Sequence, residues 1–140
     1  MELSLRTVAR SVPPMSPGET MTGEFRFETS ESPPTTSGHA AIVVRLVGRL
    51  DASSNAGCDR RLADLVSAGH HRFIFDCSEL SFVSSMGIGT FLQVLRSVKS
   101  RGGGVTLCRT CDGVRQTLML AGLGKVLMLE PDLESSARRL

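Results

Sequence analysis

The chain has 140 residues, room for one domain with a buried core, and 41% of them are hydrophobic, which fits a packed protein and excludes a disordered one. A net charge of +2 with scattered arginines, no Trp and no Tyr leaves neither the basic stripe nor the stacking aromatics of a nucleic-acid platform. The longest apolar run, Ala40 to Val44, is far too short for a membrane span, and the first residues form no apolar signal segment. The expected compartment is the cytoplasm, with Cys58, Cys77, Cys108 and Cys111 as free thiols.

Residues 1–22 carry Pro13, Pro14, Pro17 and Gly18 without apolar periodicity, which predicts a flexible arm ahead of a domain over residues 23–140. From Gly23 to Glu28, Phe25 and Phe27 alternate with Glu24, Arg26 and Glu28, the pattern of an edge strand. Ser30 to His39 is a turn-rich connection. Ala41 to Val47 is apolar and β-branched, a buried strand that Gly48 should end. Cys58, Leu62, Leu65 and Val66 recur at helical spacing, so a helix is expected within Asn55 to Ala68, capped by Ser53 or Ser54 and closed by Gly69. His71 to Asp76 is the next strand, with Ser78 to Ser84 as a connection. The strongest helical signal follows: Ile88, Phe91, Leu92, Leu95 and Val98 fall on one face. Gly102, Gly103 and Gly104 end that helix. Val105 to Cys108 then reads as a strand, Val114 to Ala121 as a helix, Val126 to Leu129 as a strand, and Leu133 to Leu140 as a helix.

This alternation predicts an α/β fold: a single domain with a mixed, mostly parallel sheet of four to five strands flanked by helices. The first two strands can pair as an antiparallel hairpin. Sites in such folds lie where strands end and helices begin. Ser84 and Ser85 stand at such a junction, where a helix start leaves free N–H groups and a partial positive charge. A phosphate placed there is electrostatically favoured and adds about −1.5 to −2 charge to the surface. The fold survives, while a partner docked over the helix start is repelled. Gly87 and Gly89 are expected to leave that start open to close approach.

The segment Leu80-Ser81-Phe82-Val83-Ser84-Ser85-Met86-Gly87-Ile88-Gly89 resembles the signature L-x-F-(M/I)-D-S-S-G-L-G of STAS-domain anti-sigma factor antagonists. Gly48-Arg49-Leu50-Asp51 resembles the G-x-L-D of that family. Arg101-Gly102-Gly103-Gly104-Val105 resembles its step from helix to strand, and Val114 to Leu123 its V-x-x-x-L-x-x-x-G-L helix. The resemblance runs in order from about Phe25 to about Leu133. It implies a STAS-like domain that binds an anti-sigma factor, itself a serine-protein kinase, and so frees a sigma factor. It further implies a switch by phosphorylation of a serine that corresponds to Ser85, with Ser84 as the alternative, and resetting by a serine phosphatase. The partner-binding surface carried over is Asp51, Ser84, Ser85, Met86 and Gly87. Two positions depart from the family pattern: Ser84 replaces its Asp and Met86 its second serine. The departure at Ser84 favours an alternative, a STAS docking module in another signalling or transport complex without a phosphorylation switch.

Other chemistries find little support. Cys108-Arg109-Thr110-Cys111 is a single C-x-x-C with no second pair for zinc. Gly102 to Gly104 lacks the Lys-Ser/Thr of a phosphate loop, and no glycine stands two residues before Ser84 or Ser85, as a nucleophile elbow requires. No metal, no cofactor and no enzymatic activity are expected.

Overall fold

In the computed structural model, which describes residues 25–140, the apolar strands become a sheet whose two faces are covered by different helices. The elements in chain order are β1 (Arg26–Glu31), β2 (Ile42–Leu50), α1 (Asn55–Ser67), β3 (Arg72–Val83), α2 (Ser85–Lys99), β4 (Gly104–Cys108), α3 (Asp112–Leu120), β5 (Leu129–Glu130) and α4 (Leu133–Arg138). The five strands lie in the order β1-β2-β3-β4-β5. β1 and β2 are antiparallel, and every later pair is parallel.

Alternation along each strand sorts side chains between the faces. Val44 and Leu46 of β2, Phe73 and Phe75 of β3, and Leu107 of β4 join the core beneath α1, α2 and α3. Val43, Ile74 and Cys108 point the other way and meet Ala137 of α4. Both faces are covered, so these strands read as nearly continuous apolar runs. Phe75 meets Phe91 edge to face at 5.1 Å, fixing α2 against the centre of the sheet.

The bounds of β1, β2, β3 and β5 differ from expectation. β2 does not stop at Gly48. That residue has φ +105, and the β2–β3 register shifts between Gly48 and Arg49, so the glycine makes an irregularity within the strand. β3 does not stop at Asp76 but runs on to Val83, pairing Phe82 with Arg49 and Val83 with Leu50. Its polar residues Ser78, Glu79 and Ser81 are exposed while Leu80 and Val83 are buried, which sequence alone reads as a connection. β5 is only Leu129–Glu130, because the Leu127 N–H turns back to the Leu123 carbonyl and Met128 takes φ 51. β1 lies later than expected, at Arg26–Glu31; Gly23, Glu24 and the arm expected over residues 1–22 fall outside the described residues.

Candidate functional site

β3 passes into α2 with a single intervening residue, Ser84. The Ser84 N–H donates to the Leu50 carbonyl at 2.9 Å, tying the helix start to the end of β2. Ser84 is extended, at φ −88 and ψ 174, and its Oγ accepts the Gly87 N–H at 3.3 Å. Its carbonyl accepts the Ile88 N–H at 2.9 Å. Ser84 is therefore the N-cap of α2. Ser85, the first helical residue, is exposed, and its hydroxyl has no hydrogen-bond partner among the described residues. Met86 beside it is 55% exposed. The first turn of α2 holds no acidic side chain, so the positive end of the helix dipole is not offset from within the helix.

The expectation that Gly87 leaves the helix start open is corrected. Gly87 is buried, and a Cβ there would lie 2.7 Å from Val83 Cγ2 and 2.9 Å from Leu50 Cγ. The missing side chain lets α2 press onto the ends of β2 and β3. Gly89, by contrast, is exposed with open space around it.

Asp51 stands at the same end of the sheet, directly after Leu50. Its Oδ1 accepts the Ser53 N–H at 3.1 Å and the Ser53 hydroxyl at 2.7 Å. Its Oδ2 lies 3.5 Å from Arg49 Nε. These hydrogen bonds from Ser53, with a smaller contribution from Arg49, hold the Asp51 carboxyl below its ordinary range. The Asp51 carbonyl also accepts the N–H groups of Ser54 and Asn55, so the residue builds the loop into α1. Ser54 occupies the N-cap position of α1 without a side-chain cap; its Oγ instead donates to the Arg49 carbonyl at 2.7 Å and accepts the Asp51 N–H at 3.1 Å.

The structure thus brings Asp51, Ser84, Ser85 and Met86 to one end of the sheet, with Gly87 packed beneath. It adds two residues that sequence reasoning missed. Arg49 Cζ sits 4.2 Å from the centroid of the Phe82 ring, which is 38% exposed. Both lie inside the two motifs at this site, but only the parallel pairing of β2 with β3 sets one against the other.

A second missed group is internal. Thr90 Oγ1 lies 2.8 Å from Asn55 Oδ1 and 2.7 Å from Asp59 Oδ1, and Asn55 Nδ2 donates to Asp59 Oδ2 at 3.1 Å. This polar contact fixes α2 against α1. The buried face of α2 therefore includes Gly87, Thr90 and Val94, while Ile88 and Leu92 are only half-buried.

The C-x-x-C does not make an activated thiol pair. Burial pushes the Cys108 thiol up to about 11, against the lowered value that redox chemistry uses. Cys111 is exposed at the start of α3. Among the described residues no three His, Cys, Asp or Glu side chains gather to hold a metal ion, and no helix is long and apolar enough to cross a membrane.

The chain is similar to several known proteins. BtrV of Bordetella bronchiseptica, classed as an anti-sigma factor antagonist, is 23% identical over 96 residues, covering 69% of this chain and 83% of BtrV. The anti-sigma factor antagonist SpoIIAA in its unphosphorylated form superposes with a TM-score of 0.66 at 22% identity, over 79% of this chain and 92% of SpoIIAA. The Bacillus protein is also solved in a phosphorylated form. The murine anion transporter Slc26a9 matches with a TM-score of 0.63 at 14% identity, over 81% of this chain and 22% of the transporter. At these identities the solved structures show a common fold. The STAS domain model matches residues 32–136, well over half of the sequence, and the chain belongs to the STAS domain family.

Proposed function

We propose that this protein is an anti-sigma factor antagonist of the partner-switching kind. It binds an anti-sigma factor through Asp51, Ser84, Ser85 and Met86 and so releases a sigma factor. The anti-sigma factor is also a serine-protein kinase, which transfers the γ-phosphoryl group of ATP to Ser85 Oγ and ends the interaction. A serine phosphatase resets the switch, and the cycle runs in the cytoplasm. The protein acts by binding and is not itself an enzyme.

The observation that carries this reading is the inequality of the two serines: Ser84 Oγ is engaged as the N-cap, while Ser85 is exposed with its hydroxyl unengaged. A phosphate on Ser85 meets the positive end of α2 and disturbs no side-chain hydrogen bond of Ser85 among the described residues. It places a dianion beside exposed Met86, where a partner would bury apolar surface. The similarity to BtrV and SpoIIAA supports the same reading. A second reading is favoured by the neutral Ser84 in place of the family's Asp, and by the likeness to part of an anion transporter. In it the domain docks constitutively in another complex.

Intact-mass analysis after incubation with the anti-sigma factor kinase of its source and ATP decides between them. One added phosphate in the wild type and in Ser84→Ala, absent in Ser85→Ala, with loss of binding on modification, supports the switch. Binding with no phosphate in any form supports constitutive docking.

A further inference from the structure

We propose that Arg49 reads the state of Ser85, leaving Phe82 and Asp51 to pair with the phosphate when Ser85 is phosphorylated. The inference rests on the reading that Ser85 is the modified residue.

Arg49 and Phe82 are partners in the β2–β3 register, and Leu50 and Val83 are the next pair. The Leu50 carbonyl holds the Ser84 N–H at 2.9 Å. Arg49 is therefore one residue from the backbone bond that anchors the helix start, and Ser85 is the residue beyond it. The guanidinium is only loosely held. Its Nε lies 3.5 Å from Asp51 Oδ2, at the outer limit of a hydrogen bond. The side chains of Arg49 and Asp51 are 53% and 29% exposed, so water screens the pair. The guanidinium also stacks on exposed Phe82. The Arg49 Nη groups have no hydrogen bond among the described residues.

A phosphoserine offers a stronger partner. It is a dianion above its second pKa of about 6, and its oxygens match the planar guanidinium fork. Asp51 does not oppose the exchange by losing its own support, because its Oδ1 keeps both bonds from Ser53. The exchange changes more than the charge at Ser85. It removes a cation from above Phe82 and uncovers that ring on the outer face of β2 and β3, so one modification alters both the polarity and the apolar area that a partner meets.

The test uses protein with phosphoserine incorporated at position 85 during translation, which needs no kinase. The second ionisation of the phosphate is followed by ³¹P NMR in otherwise wild-type, Arg49→Gln and Arg49→Lys backgrounds. The helix start acts equally in all three, so differences report Arg49. The expected midpoint is about one pH unit lower with Arg49 than with Gln, and Lys falls between. In unmodified protein the Arg49 Cδ protons are shifted upfield by the Phe82 ring, and this shift disappears in the phosphorylated form. Equal midpoints, or a ring-current shift that persists, overturn the proposal. A kinase that leaves Ser85 untouched, while the incorporated phosphate still shows the Arg49-dependent midpoint, overturns the phosphorylation reading alone. Kinase transfer to Ser85 with equal midpoints overturns the Arg49 inference alone.

Discussion

The Ser84 hydroxyl accepts the Gly87 N–H at 3.3 Å, and this bond makes two adjacent serines chemically unequal. Ser84 supplies the acceptor that the first turn of α2 needs. Ser85, one residue on, is left facing solvent. The same turn brings Gly87 into contact with Leu50 and Val83, so capping and packing are set by one local geometry.

That inequality gives opposite outcomes for two alanine substitutions. Ser84→Ala removes the cap and should lower stability by about 0.5–2 kcal/mol. Ser85→Ala removes no bond among the described residues and should stay within about 0.5 kcal/mol of wild type. Urea unfolding followed by far-ultraviolet circular dichroism measures both, since the chain has no Trp or Tyr. The reverse order would place the cap on Ser85.

The two glycines of α2 should also separate. Gly87→Ala pushes a methyl to 2.7 Å from Val83 Cγ2. Overpacking of that kind costs about 1–3 kcal/mol, set against about 1 kcal/mol of improved helix propensity, so a net loss is expected. Gly89→Ala meets nothing within 4 Å and should gain about 1 kcal/mol from propensity alone. Equal effects in a denaturation series would contradict the close packing at Gly87.

Thr90→Val keeps the shape of the side chain and deletes the hydroxyl that lies between Asn55 and Asp59. Asn55 is buried, so losing the donor to its Oδ1 should cost about 1–3 kcal/mol. Thr90→Ser retains the hydroxyl and should cost less. A valine variant as stable as wild type would show that the α1–α2 contact rests on its apolar residues alone.

Thiol reactivity follows burial. Cys58, Cys77 and Cys108 are buried and Cys111 is exposed. Burial raises the thiols of Cys58 and Cys77 far above the ordinary range and pushes Cys108 up to about 11. In native protein at pH 8 an aromatic disulfide reagent should modify one thiol rapidly, and Cys111→Ser should abolish that phase. The other three should react only on unfolding. Two fast thiols would indicate that the strand bearing Cys108 opens readily.

Much of the fold is legible in the residues. Phe25 and Phe27 alternate as the edge strand requires, and Leu62, Leu65, Phe91 and Val98 announce two helices that do bury those side chains. Two of the differences share one cause. Gly48 reads as a strand end and Ser78 to Ser84 as a connection because local propensity cannot register a partner strand. Pairing with Arg49 and Leu50 keeps Phe82 and Val83 extended against a polar local sequence. The role of Thr90 has no local signature for a related reason: its polarity is matched by Asn55 and Asp59, 35 and 31 residues away.

The sequence by itself determined the order of elements, the mixed α/β class and the serine pair at a helix start, because these depend on periodicity and capping chemistry within a few residues of one another. Only the tertiary structure decided which serine caps, why Gly87 is small, and that Arg49 lies over Phe82 beside Asp51. Each of those depends on the register of β2 against β3, which brings Leu50 to Ser84 across 34 positions of chain and has no local signature.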